Sequence, residues 1–112
     1  MNDLILTFSI KEGTMEMNKG VIEALGTPRQ VQIRIDKEAC QLMLRACSLT
    51  EEQAVVVQND DVPQVGGRRL MKKIGELAGW KDQERRYVYG VAVPEYNAVV
   101  FNLLDSHLVN EI

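Results

Sequence analysis

The sequence is short of the residues that commit a chain to a special architecture. Two cysteines, Cys40 and Cys47, are too few for a disulfide framework and have neither Cys-x-x-Cys spacing nor a histidine cluster for zinc. Both are expected as reduced thiols. With 8 glycines, 3 prolines, 46% hydrophobic and 26% charged residues, the chain is neither collagenous, low-complexity nor disordered. No apolar run approaches the roughly 20 residues that span a bilayer. The residues Met1-Asn2-Asp3 lack the basic flank of a signal peptide. A cytoplasmic protein with no membrane partner is expected. Length bounds the rest, since 112 residues make one domain with one core.

Catalytic signals are also missing. His107 is the only histidine and lies in a polar tail with no nucleophile pairing that suggests a triad. The pairs Glu51-Glu52 and Asp60-Asp61 lack the alternating Asp/Asn loop of a calcium site and read as solvated turns. Gly66-Gly67 precedes a basic helix, but the Gly-x-x-x-x-Gly-Lys-Ser/Thr pattern of a phosphate loop is absent. No enzyme, no metal and no cofactor are expected.

What the sequence does hold is an uneven charge. Residues 1–65 carry 6 Lys/Arg against 10 Asp/Glu, residues 66–86 carry 7 against 3, and residues 87–112 carry none against 3. The net charge of −3 therefore divides into −4, +4 and −3. The whole positive excess sits between Gly66 and Arg86.

Hydrophobic periodicity predicts the elements around it. Leu4, Leu6, Phe8 and Ile10 alternate as in a half-buried strand, Lys11-Glu12-Gly13 turns the chain, and Thr14–Met17 is extended with Met15 and Met17 on one face. Asn18 reads as the N-cap of a short helix through Val21, Ile22 and Leu25 that stops at Gly26. Val31, Ile33 and Ile35 form a strand, Lys37–Cys40 a turn, and Leu42–Ala46 its hairpin partner. The connection 48–67 includes a short apolar strand at Ala54–Val57, a turn at Asn59–Asp61 and an extended Val62–Val65. A helix over Arg68–Ala78 places Leu70, Ile74 and Leu77 on one face and ends at Gly79. Tyr87, Tyr89, Val91 and Val93 then alternate, Pro94–Asn97 turns, and Ala98–Leu104 is an apolar strand. The tail from Asp105 is expected to be frayed, with one further helical turn.

The two halves repeat one order of elements. A shift of 53 puts Lys19 on Lys72, Val21 on Ile74, Glu23 on Glu76 and Gly26 on Gly79, and a shift of 56 puts Val31, Ile33 and Ile35 on Tyr87, Tyr89 and Val91. Each half alone would bury too little surface to be stable, so the two are expected to share a core.

The stretch Met17-Asn18-Lys19-Gly20-Val21-Ile22-Glu23-Ala24-Leu25-Gly26, followed by Val31–Asp36 and Leu42–Arg45, resembles the swapped-hairpin barrel family of AbrB, SpoVT, MazE and MraZ. Lys19, Val21 and the Leu25-Gly26 closure match the family's half-unit, while Asn18 stands where the family usually has Pro. Arg68–Leu103 is similar to a second unit. The resemblance implies an α+β fold: a small β-barrel-like core from two tandem strand-strand-helix-strand-strand units. The units fall at about 1–47 and 54–104, with 48–67 contributing strands, in one domain over 1–112. It also implies a DNA-binding transcription regulator or antitoxin-like protein. In DNA-binding members, arginines at the entry strand and short helix touch DNA. The first half has Thr14, Glu16, Ile22 and Glu23 there, so the inherited contact falls on Arg68, Arg69, Lys72 and Lys73.

Those four cations crowd the first turns of a helix, where the macrodipole disfavours each by a few tenths of a kcal/mol to about 1. Phosphate is the ligand that would repay this. With Lys81, Arg85 and Arg86 they are expected to line one edge; the bland reading is a solvated helix face with pairs such as Lys72–Glu76. Trp80 is expected to close the core under the helix end. Tyr87 and Tyr89 could stack on single-stranded nucleic acid, but with Val91 and Val93 on their face they are expected in the core. His107 is expected at the surface. Duplex DNA is thus the expected partner. The alternative is a non-enzymatic interaction module, using the acidic first half and exposed sheet edges to hold a protein. Two units completing one barrel suit a monomer; a homodimer would set two basic edges at a fixed spacing.

Overall fold

Alternation along the strands decides which side chains enter the core, and long-range pairing decides which strands meet. The structure, a computed structural model, describes residues 3–47, 54–56, 58–59, 63–65, 67–81 and 84–109. Strand β1 (Ile5–Ser9) buries Leu6 and Phe8, and β2 (Thr14–Met17) buries Met15 and Met17 across the hairpin. Gly13 makes the turn between them at φ +75°, and an added Cβ there would lie 2.9 Å from the backbone nitrogen of Arg68. The hairpin turn therefore sits directly under the start of the second helix.

Helix α1 (Lys19–Ala24) begins at Asn18, whose side chain serves three backbone groups. Its Oδ1 accepts the N–H of Val21 at 3.0 Å and of Ile5 at 3.1 Å, and its Nδ2 donates to the Asp3 carbonyl at 2.7 Å. One residue caps the helix and ties it to the start of β1. Asn18→Ala leaves two N–H groups without these acceptors, and a loss of about 2 kcal/mol is expected in urea unfolding.

β3 (Gln30–Asp36) and β4 (Gln41–Ala46) form the next hairpin, with Val31, Leu42 and Leu44 buried. Asp36 Oδ1 accepts the N–H of Glu38 at 3.1 Å and of Ala39 at 3.2 Å, which shapes their turn. Three short strands follow, β5 (Ala54–Val56), β6 (Gln58–Asn59) and β7 (Pro63–Val65). Helix α2 (Arg68–Ala78) buries Met71, Ile74 and Gly75. β8 (Arg85–Val93), a 3-10 turn at Pro94–Tyr96 and β9 (Ala98–Leu108) complete the chain.

The sheet is antiparallel throughout, in the order β5-β3-β4-β9-β8-β1-β2-β7-β6. Its six central strands, β3 to β2, curl into a half-barrel, giving a mostly-β, barrel-like α+β domain with two helices. β5 pairs with β3 at one end and β6 with β7 at the other, and one residue separates β5 from β6 in the chain, so the two ends of the sheet approach each other. Trp80 is in the core against Phe8, with ring centroids 5.0 Å apart.

Two expectations are corrected. Tyr87, Tyr89 and Val91 do not enter the core: Tyr89 is 49% exposed and Val91 69%. Val88 is the buried residue, opposite buried Leu6, so the even positions of β8 face inward and the tyrosines outward. The tail is not helical, because Arg86, Tyr87 and Val88 pair with Leu108, His107 and Ser106 and hold β9 extended to Leu108. Residues 110–112 of that tail lie outside the described ones.

Candidate functional site

α2 has two faces. At 100° per residue Met71, Ile74, Gly75 and Ala78 lie on one side, and Arg68, Arg69, Lys72, Lys73 and Glu76 span about 140° of the other. All five of these polar residues are exposed. Gly75 lets the helix lie close to the sheet, since an added Cβ would meet the Ile10 side chain at 3.2 Å. Arg68 crosses above Gly13. The backbone and apolar face are thus fixed, while the cationic arc points to solvent.

None of the four α2 cations forms an ion pair with a described residue, Lys72 with Glu76 included. The N-cap is Gly67, which supplies no side-chain acceptor to the first-turn N–H groups. Positive side chains therefore gather at the end of the helix whose N-cap residue offers no side-chain acceptor.

The remaining three expected cations part from this cluster. Arg85 and Arg86 are consecutive in a strand and so point to opposite faces. Arg85 reaches Glu16 at 3.6 Å, and Arg86 is held by Glu84 at 2.6 Å and by Ser106 Oγ at 3.1 Å. The Glu84 carboxyl also accepts the Lys81 N–H at 3.0 Å; this bond and the Arg86 guanidinium hold it below the usual carboxylate range against the opposing effect of burial. Both arginines are thus engaged by carboxylates of their own chain. The Lys81 side chain is exposed, beyond the opposite end of α2 from Arg68. The single seven-cation edge becomes a four-cation arc plus an outlying lysine. Strand alternation at Arg85-Arg86 was the signal for this split.

Helix α1 carries no such arc. Glu16 is taken by Arg85, and Lys19 is paired with Glu23 at 3.9 Å in an exposed helical turn. Elsewhere an aromatic group stands on the outer face of β8 and β9: Tyr87 stacks on His107 at 5.1 Å, and Tyr89 meets both edgewise at 5.8 and 5.9 Å. His107 is at the surface, 4.0 Å from Asp105. Glu51, Glu52, Asp60, Asp61 and Gly66 lie outside the described residues. Among the described residues, no group of His, Cys, Asp or Glu is placed to hold a metal ion, and no helix is long and apolar enough to cross a membrane. Burial pushes the Cys40 thiol pKa up, away from thiolate chemistry.

No family model matches the chain, and neither a curated protein nor a solved structure matches it at a significant level.

Proposed function

We propose that the chain is a tandem swapped-hairpin protein of the AbrB type that binds duplex DNA through the exposed cationic arc of α2. The observation that carries the reading is that arc: four cations, none paired with a described residue, on a helix fixed by its opposite face.

Strand pairing supports the tandem architecture. If β1, β2, α1, β3 and β4 correspond to β5/β6, β7, α2, β8 and β9, every pairing finds a counterpart: β1–β2 with β6–β7, β1–β8 with β5–β3, and β3–β4 with β8–β9. β2–β7 and β4–β9 map onto themselves. The registers agree for β1–β8 with β5–β3 and at the turn end of the two long hairpins, where Asp36 opposite Gln41 corresponds to Val93 opposite Ala98. β6–β7 is one residue out of register with β1–β2. Leu6 opposite Val88 corresponds to Val55 opposite Val31, at offsets of 49 and 57. The hairpin strands thus align at 57, one residue from the 56 read off the sequence, and that residue is what turns Tyr87 and Tyr89 outward. The N-caps Asn18 and Gly67 are 49 apart and the glycine stops Gly26 and Gly79 are 53 apart, so α2 has about one extra turn. All four cations of the arc lie within this longer helix.

Titrating a duplex at low salt tests the function. Arg68→Glu with Lys72→Glu, at solvent-exposed positions, is expected to weaken binding about 100-fold with little change in melting temperature. Absence of binding by the unaltered protein overturns the reading.

The second reading, a protein-binding module, takes its support from an exposed apolar patch; β5 and β6, the ends of the strand order, each pair on one side, with β3 and β7, among the described residues. Tyr89 and Val91 stand exposed on the outer face beside half-buried Val100 and Met43.

A further inference from the structure

We infer that the groove between α2 and β3 is a binding site for a small amphipathic monoanion, an aliphatic chain ending in a carboxylate. Ile33 and Ile35 lie on the same side of β3 as buried Val31, and Leu70 and Leu77 flank the buried stripe of α2, yet all four are only partly covered. Between them lies a cavity of about 670 Å³. That volume falls within the range of about 300–1,000 Å³ typical of small-molecule sites.

The lining identifies the ligand's body. Among the described residues its apolar lining is all aliphatic, with no aromatic ring to stack a planar ligand. Burial of alkyl groups is the gain such a surface offers. The rim identifies the head. Lys37 stands on the β3–β4 turn and Lys73 on α2, on opposite walls, with Glu76 beside them. Among the described lining residues, two positive charges and one negative leave a single positive charge, matched by a carboxylate rather than a dianionic phosphate. Neither lysine forms an ion pair with a described residue. Their alkyl stems extend the walls while the heads stay in water. The site is independent of whether α2 contacts DNA, although Lys73 belongs to both surfaces.

Methyl-labelled protein titrated with hexanoate, octanoate and decanoate below their micelle concentrations tests the inference. The methyl signals of Ile33, Ile35, Leu70 and Leu77 are expected to move together, with affinity rising about fourfold per added methylene until the groove is filled. Decanol and decylammonium are expected to bind more weakly than decanoate. Lys37→Gln with Lys73→Gln, both exposed positions, is expected to cost decanoate about tenfold and leave decanol unchanged. Unmoved groove methyls, or decylammonium binding as tightly as decanoate, would overturn the site. Equal affinities for decanol and decanoate would overturn the carboxylate head.

Discussion

A chain ending after Cys47 is expected to show no cooperative thermal transition, although it retains β1, β2, α1, β3 and β4. Each of its hairpins lacks its outer partner: β1 pairs with β8, β4 with β9, β3 with β5 and β2 with β7. Two such hairpins expose the faces of Leu6, Phe8, Leu42 and Leu44, which the complete chain buries fully. A fragment of about 50 residues buries too small a fraction of its surface to offset chain entropy. Adding a second fragment containing residues 48–112 is expected to restore β-sheet circular dichroism and dispersed amide signals in a concentration-dependent way. A cooperative melt of the first fragment alone would show that the halves have separate cores.

Phe101→Ala is expected to cost about 4 kcal/mol, on the order of 15 °C in melting temperature. Phe101 is fully buried and pairs with Leu42 on one side and Gly90 on the other, where the two hairpins meet. Gly90 is small for a reason unconnected with positive φ: an added Cβ would lie 2.6 Å from Phe101 Cε1 and from Val99 Cγ1. Gly90→Ala alone is expected to lose about 1–3 kcal/mol through overpacking. Combined with Phe101→Leu, which vacates the ring's space, the pair is expected to lose less than the two single changes together. Additive losses in urea titrations would mean that Phe101 does not occupy the space above Gly90.

The local elements were legible because local rules set them. Asn18 and Gly26 bracket α1, Gly79 stops α2, and alternation marks β1, β3 and β4. What escaped the sequence is parity fixed at a distance. Tyr87, Tyr89 and Val91 have the composition of a core face, and only the pairing of Leu6 with Val88 turns them outward. Between the pairs Val88–Ser106 and Gly90–Phe101, β8 spans one residue and β9 four, an irregularity with no local cue. The polar sequence Asp105-Ser106-His107 reads as a tail for the same reason, since its extended form depends on β8. The cationic site was legible in composition but not in extent. Arg85 and Arg86 belong to the same charge run as Arg68–Lys73, yet Glu16 and Glu84 take them up. The groove joins Ile33 and Ile35 to Leu70 and Leu77, more than thirty residues away, and no sequence spacing announces that meeting.

The binding of duplex DNA as a function of salt is the most direct test of the cationic arc as a phosphate-binding surface. Four phosphate contacts are expected to give a slope of about −3.6 in log affinity against log salt, falling by about 0.9 for each arc cation replaced by alanine. Replacing Arg85 or Arg86, which are engaged by Glu16 and Glu84, is expected to leave the slope unchanged. No binding at low salt, or a slope indifferent to Arg68, Arg69, Lys72 and Lys73, would contradict DNA binding through α2.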